Sequence, residues 1–275
     1  MNNSGFPGGV TALMSTYINS NPDLLKRAIA SIYANSVIPD EVIVICDGPL
    51  NANSIEILDG FKDTHSNFKC HWLPINIGLT QALNFGLQHI STTWVARCDD
   101  DDFNCSDRFE KQRNYLLQHP QVQLLGSNIS EVDLHGRFIS QRRVPEDITE
   151  IRKVTKLRNP FNHMTVIYNC NLALKVGGYP VMAYQDYGLW IKMLGSGCIA
   201  ANIQEPLVHA TTGDGLYLRR GGGQIAKDEF KLAHLLYQYQ FKSYLASIIL
   251  ASMRALAALM PPKCKHLLYR YLLRK

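Results

Sequence analysis

The stretch VTALMSTYINSNPDLLKRAIASIYANSVIPDEVIVIC, residues 10 to 46, sets two short apolar runs around a segment of a different period. VTALMS (10–15) and EVIVIC (41–46) show no polar alternation, as expected of strands buried on both faces. Between them, NPDLLKRAIASIYANS has helical spacing, with Asn21 as cap and Pro22 at the first helical position. Strand, helix, strand in that order predicts a βαβ unit on a parallel sheet.

Working outward, FKCHWLP (68–74) reads as a third strand. LTQALNFGLQHI (79–90) reads as a helix with Leu79, Leu83, Leu87 and Ile90 on one face, and TWVARC (93–98) as a fourth strand. Four carboxylates, Asp99 to Asp102, follow that strand directly. Two carboxylates about 5 Å apart repel by about 3 kcal/mol at an effective dielectric near 20. Four in a row need raised pKa values or a cation to relieve them. Their place at the C-terminal end of a parallel strand, where open α/β sheets hold ligands, favours a site over a solvated turn. Further on, DRFEKQRNYLLQH (107–119) predicts a helix and VQLLGS (122–127) a strand. The pattern then loosens until AYQDYGLWIKMLGSG (183–197), a helix ended by glycine.

The chain has 275 residues, 46% of them hydrophobic, and a formal net charge of +5. That is enough for a sizeable core, and the mild charge suggests no nucleic-acid partner. Seven scattered cysteines without a CxxC pair read as free thiols in a reducing compartment. MNNSGFPGG carries no apolar signal region. YLASIILASMRALAALM (244–260) is too short and too interrupted by Arg254 for a membrane span. A cytoplasmic protein is expected.

Adjacent Asp oxygens without a His/Cys cluster suit a hard divalent ion, Mn²⁺ or Mg²⁺, completed by substrate phosphates. No GxxxxGK[ST] is present, and no GxGxxG follows the first strand, so P-loop hydrolases and dinucleotide-binding Rossmann domains are disfavoured. CDGP (46–49) offers Asp47 to a base or ribose. His209, in EPLVHATTGDG, is a lone candidate for a late metal ligand.

At this point the residues carry a resemblance. Residues 10–49, NIGLTQALNFGL (76–87) and WVARCDDDDFNCSDRFEKQ (94–112) resemble the nucleotide-sugar half of family 2 glycosyltransferases. RNPFNHMTVIYN (158–169), KVGGYP (175–180) and YQDYGLWIKML (184–194) resemble their acceptor half, in the same order. LRRGGGQ (218–224) and the basic tail look most like the bacterial exopolysaccharide and O-antigen branch, such as amylovoran biosynthesis glycosyltransferases. The resemblance implies a GT-A fold, a Rossmann-like nucleotide-binding sheet merged with an acceptor-binding half. That domain would span residues 1–215 (donor half 1–105, acceptor half 106–215), with a basic helical extension at 216–275.

Carried over position by position, Thr16, Tyr17, Asp47, Asn76 and Arg97 would serve the nucleotide end of a UDP-sugar. Asp99 would bind ribose or a metal water, Asp101 would ligate the metal, and Asp102 would approach the donor sugar or a water beyond the metal's own ligands. Asp100 stands where the family often has a small residue, and is expected to point outward. Asp186 matches the family's general base, with Gln185 in place of the usual preceding acid. His163 reads as a structural or acceptor-side histidine. Arg219 and Arg220 suit diphosphate contacts or a hinge. The implied activity is inverting transfer of a hexose, galactose or glucose, from a UDP-sugar to an undecaprenyl-diphosphate-linked sugar, forming a β-linkage. It would take place at the inner face of the bacterial inner membrane, where the basic tail would dock. Two rivals stand beside it. A nucleotidyltransferase would need a basic glycine-rich loop after the first strand, which STYINSN lacks. A non-catalytic nucleotide-sugar-binding module would bind without turnover.

Overall fold

The computed structural model describes residues 4–212 and 222–259. The opening βαβ unit forms as expected: β1 (Val10–Thr16), α1 (Pro22–Tyr33) and β2 (Glu41–Cys46). The Asn21 side chain accepts from Asp23 N at 2.9 Å and Leu24 N at 3.3 Å, which satisfies two of the orphan donors of α1. α2 (Ala52–Thr64), β3 (Phe68–Trp72), α3 (Leu79–Leu87) and β4 (Trp94–Arg97) follow. The sequence reading passed over α2. Only Ser54 and Leu58 of that helix are buried, so it has almost no apolar stripe to betray it.

These four strands run parallel in the order β3-β2-β1-β4. The chain goes outward from β1 to β3, then returns to lay β4 on the other side of β1. That reversal opens a crevice beyond the carboxyl ends of β1 and β4. Successive residues of each strand enter opposite cores. Leu13, Ile43, Ile45 and Val95 pack with α3, while Ala12, Met14, Val42 and Val44 pack against Leu25, Ile29 and Ile32 of α1.

Beyond β4 the sheet leaves the parallel pattern of the opening βαβ unit. The sheet is mixed, because β8 (Ile167–Asn169) runs antiparallel to both β4 and β6 (Val122–Val132). β9 (Ile199–Thr211) lies parallel to β6, and the two-residue β5 (Phe103–Asn104) closes the order against β9. β7 (Phe138–Arg142) forms a hairpin on β6. Three further helices, α4 (Arg108–Gln118), α5 (Ile148–Thr155) and the short α6 (Cys170–Lys175), cover the sheet. α7 (Gln185–Gly195) buries Tyr187, Leu189, Trp190 and Ile191 in the core. α8 (Gly223–Gln238) and α9 (Tyr244–Leu259) form a helical pair that packs on α7.

Candidate active site

Asp47 directly follows β2, and its carboxylate accepts from Ile77 N at 2.7 Å and Gly78 N at 3.0 Å. Asn76 Nδ2 donates back to Asp47 O at 3.1 Å. CDG and NIG, thirty residues apart in sequence, are thus clasped into one floor. Gly48 has φ +86°, and a Cβ there would lie 2.6 Å from Asn76 N, so this close approach requires glycine.

The acidic run sits above two buried guanidinium groups. Arg97 is 2% exposed, pairs with Asp99 and donates to Leu13 O at 3.2 Å. Arg108 is fully buried and donates to Arg97 O at 2.9 Å, to Gln112 Oε1 at 3.2 Å and to Asn104 Oδ1. Part of the repulsion is relieved from below.

Asp100 corrects the reading made from sequence. Instead of pointing outward it faces the β1–α1 loop, where Ser20 Oγ donates to its carboxylate at 2.5 Å, and it lines the same cavity as Asp99 and Asp101. Burial raises its carboxyl, against the hydroxyls of Ser20 and Thr16. Asp102 is buried and accepts from Thr211 N at 2.7 Å. Its carboxyl lies well above the ordinary range, first through burial and then through the charges of Asp99 and Asp101. Asp101 still touches solvent, yet the crowding around it, followed by the charges of Asp99 and Asp100, pushes its carboxyl up to about 7.

Asp99, Asp101 and Asp102 each bring a ligand oxygen within 4.8 Å of the others. Three clustered oxygens, two of them on carboxyls that resist ionising unaided, fit a hard divalent cation. His209 does not join them. Its ring stacks on Phe103 with centroids 4.6 Å apart, and its Nε2 meets Cys105 Sγ at 3.4 Å. Arg219 and Arg220 lie outside the described residues.

A cavity of about 360 Å³ opens beside this cluster, walled by Tyr17, Asp47, Asn76, Arg97, Asp99, Asp100 and Asp101, and by His163 on the far side. Thr16 lies buried just behind it, at the end of β1. Leu79, expected on a core face, instead lines this cavity and is 39% exposed. His163 Nε2 lies 3.3 Å from Tyr179 Oη, which lies 2.9 Å from Tyr168 Oη. Burial, then the charge of Arg97, lowers the His163 pKa, while Asp186 and Asp99 act the other way. The histidine lies at the seam between the acidic run and Asp186, where burial disfavours its charged form.

Asp186 stands half-buried in the first turn of α7, where the helix dipole favours a carboxylate. Asn159 Nδ2 donates to its Oδ2 at 2.6 Å, and Asn159 Oδ1 accepts from Phe161 N at 3.1 Å, which fixes that amide. Gln185 turns away, its amide nitrogen donating to Ala183 O at 3.0 Å. Ser20, Asn159 and Thr211 escaped the sequence reading. Each acts through long-range contacts that leave no local pattern.

The family model of glycosyl transferase family 2 matches residues 11–180. The chain belongs to that family. It is 35% identical over 267 residues to the UDP-Gal:alpha-D-GlcNAc-diphosphoundecaprenol beta-1,3-galactosyltransferase of Escherichia coli, covering 96% of each chain. It is 30% identical to the amylovoran biosynthesis glycosyltransferase AmsE of Erwinia amylovora, over 94% of this chain and 97% of that one. Among solved structures it resembles S. aureus TarS in complex with UDP-GlcNAc (TM-score 0.70, 16% identity, 88% of this chain and 70% of that one). It spans 43% of the longer TarS chain. A mannosyltransferase from Pyrobaculum calidifontis in complex with GDP-Man and Mn²⁺ aligns over 99% of this chain and 83% of that one (TM-score 0.63, 16% identity). At these identities the structural likeness speaks for the fold, which is GT-A with a C-terminal helical extension. As a family 2 member the chain is a glycosyltransferase.

Proposed function

We propose that this glycosyltransferase moves a hexose, galactose or glucose, from a UDP-sugar to a sugar on a lipid diphosphate, with inversion to a β-linkage. The product would serve O-antigen, capsule or exopolysaccharide repeat units. One observation carries the reading: a clustered Asp99–Asp101–Asp102 site and a separately held Asp186 flank one seam, with His163 between. The reaction of the Escherichia coli relative supports the donor and the acceptor class.

In this reading Tyr17, Asn76 and the Asp47-clasped floor hold the uridine end of the donor, residues 1–105 forming the donor half and 106–215 the acceptor half. Asp99, Asp101 and Asp102 hold Mn²⁺ or Mg²⁺, which when bound neutralises charge gathering on the leaving diphosphate. Asp186 takes the proton of the acceptor hydroxyl as its oxygen bonds to C1 and the C1–O bond to UDP breaks. Asn159 occupies Oδ2 of that carboxylate and leaves Oδ1 for the incoming hydroxyl. Arg219 and Arg220 would meet the diphosphate of the acceptor, and the extension from residue 216 would hold the enzyme peripherally at the inner membrane face.

The test is a turnover assay with UDP-galactose, UDP-glucose and their N-acetyl forms against a synthetic GlcNAc-diphosphate lipid, with Mn²⁺. Release of UDP together with a lengthened lipid-linked glycan is expected. Tight UDP binding without transfer to any acceptor sugar would overturn the reading in favour of a binding module.

A further inference from the structure

The α8–α9 pair sorts its charges by side. Residues 222–259 contain two acids, Asp228 and Glu229, and both are buried. Asp228 accepts from Ala183 N at 2.9 Å and pairs with Lys231 at 2.8 Å. Glu229 accepts from Tyr184 Oη at 2.7 Å and faces Arg254 at 3.5 Å. These acids tie the pair to the loop ahead of α7. They place no negative charge outside. Lys227 and Lys231 are exposed on the same helix. From residue 230 to residue 275 the sequence has no Asp or Glu and eight Lys and Arg.

α9 is equally one-sided. Leu245, Ile249, Met253 and Leu256, at steps of four, four and three, are 68%, 52%, 64% and 64% exposed. That spacing stacks them along one face of the helix. The helix's single charged side chain, Arg254, turns inward to Glu229 and to Leu157 O. No helix among the described residues is long and apolar enough to cross a membrane. A short helix with a continuous apolar row, beside a surface of one sign, has the physical make-up of an element that lies in a bilayer interface.

We infer that α9 lies flat on an anionic lipid surface, with Leu245, Ile249, Met253 and Leu256 at the headgroup–acyl boundary. The exposed Lys227 and Lys231 on the acid-free flank of α8 supply the electrostatic attraction. The charge pattern chooses lipid over a second copy, since self-association through this face would bring like charges together. The inference rests on the proposed lipid-linked acceptor only for which membrane is meant. The docking face itself comes from α8 and α9.

The full-length protein, without substrate, should pellet with phosphatidylglycerol–phosphatidylethanolamine vesicles at least tenfold more strongly than with phosphatidylcholine vesicles. The quadruple variant Leu245→Gln, Ile249→Gln, Met253→Gln, Leu256→Gln should lose most of that binding while keeping its UDP affinity. Should it fail to fold, the single Ile249→Asp, on the same exposed row, should weaken binding about tenfold. Three results would overturn the inference: no vesicle binding by the parent protein, binding indifferent to these substitutions, or a parent dimer that the substitutions split. Transfer to a short soluble acceptor should survive the substitutions. Loss of vesicle binding with that transfer intact in the parent protein refutes docking alone. Intact vesicle binding without any transfer refutes the proposed activity alone.

Discussion

At the residue scale the four aspartates divide their work by what each touches. Asp101 contributes to the oxygen cluster and stays in reach of solvent, so Asp101→Ala should abolish Mn²⁺-dependent UDP binding and transfer. Asp100 holds Ser20 and lines the cavity, so Asp100→Ala should weaken UDP binding, while Asp100→Asn, which keeps an acceptor for Ser20, should recover part of it. Equal affinity in all three, by titration calorimetry, would contradict these roles. The Asp101 carboxyl at about 7 also sets a pH dependence. Its folded pKa is raised, so below 7 the site holds a proton that a cation must displace. Asp102 is raised as well, so Mn²⁺ affinity should fall about tenfold or more per pH unit below 7. An affinity level between pH 5.5 and 8 would rule this out. Asp186→Asn keeps shape and the bond from Asn159 but cannot take the proton. Turnover should drop by about 10² to 10⁴ with donor affinity unchanged. A parallel loss of donor affinity, read from the same titrations, would move Asp186 into the donor site.

At the element scale, legibility followed the strength of the local signal. β1, α1, β2 and β4 were readable because strands buried on both faces and a capped, Pro-initiated helix announce themselves within a dozen residues. The placing of Asp99–Asp102 at a strand's carboxyl end came with them. α2 was not, because it buries two side chains only. β9 was not, because Pro206 and register shifts against β6 near Ser127 and Asn128 interrupt its alternation. The inward turn of Asp100 depended on Ser20, eighty residues earlier, and no window along the chain contains both. Gly48 is the element-level feature with the sharpest consequence. Gly48→Ala puts an L side chain at positive φ, at a cost of about 1–3 kcal/mol, before its Cβ is pressed against the backbone of Asn76. The Asp47 clasp should loosen, lowering the melting temperature by several degrees and weakening UDP binding together. A normal melting curve with normal UDP affinity would show that the loop yields freely.

At the scale of the whole molecule, the proposed donor and acceptor halves would have to hold the acidic cluster and Asp186 at a fixed separation across His163. The aromatic group of Tyr168, Tyr179, Trp190 and Phe161 beside His163 supplies packing at that junction. Direction comes from Asn84 of α3, which accepts from Tyr179 N and donates to Tyr179 O, each at 2.8 Å. One side chain thus clamps both polar groups of the residue whose hydroxyl meets His163. Gly178 makes room for it, since a Cβ there would lie 2.4 Å from Asn84 Oδ1. Removing the amide leaves a peptide N–H and a C=O without partners, at about 1–3 kcal/mol for each group that water cannot reach. Asn84→Ala should therefore lower the melting temperature by several degrees. Because the clamp orients Tyr179 without touching donor or cation, UDP–Mn²⁺ affinity should stay near its original value while turnover falls. Asn84→Asp retains the acceptor for Tyr179 N and loses the donor to Tyr179 O, so it should fall between the two in stability. Turnover unchanged in Asn84→Ala, despite the lower melting temperature, would show that the halves keep their alignment without this clamp.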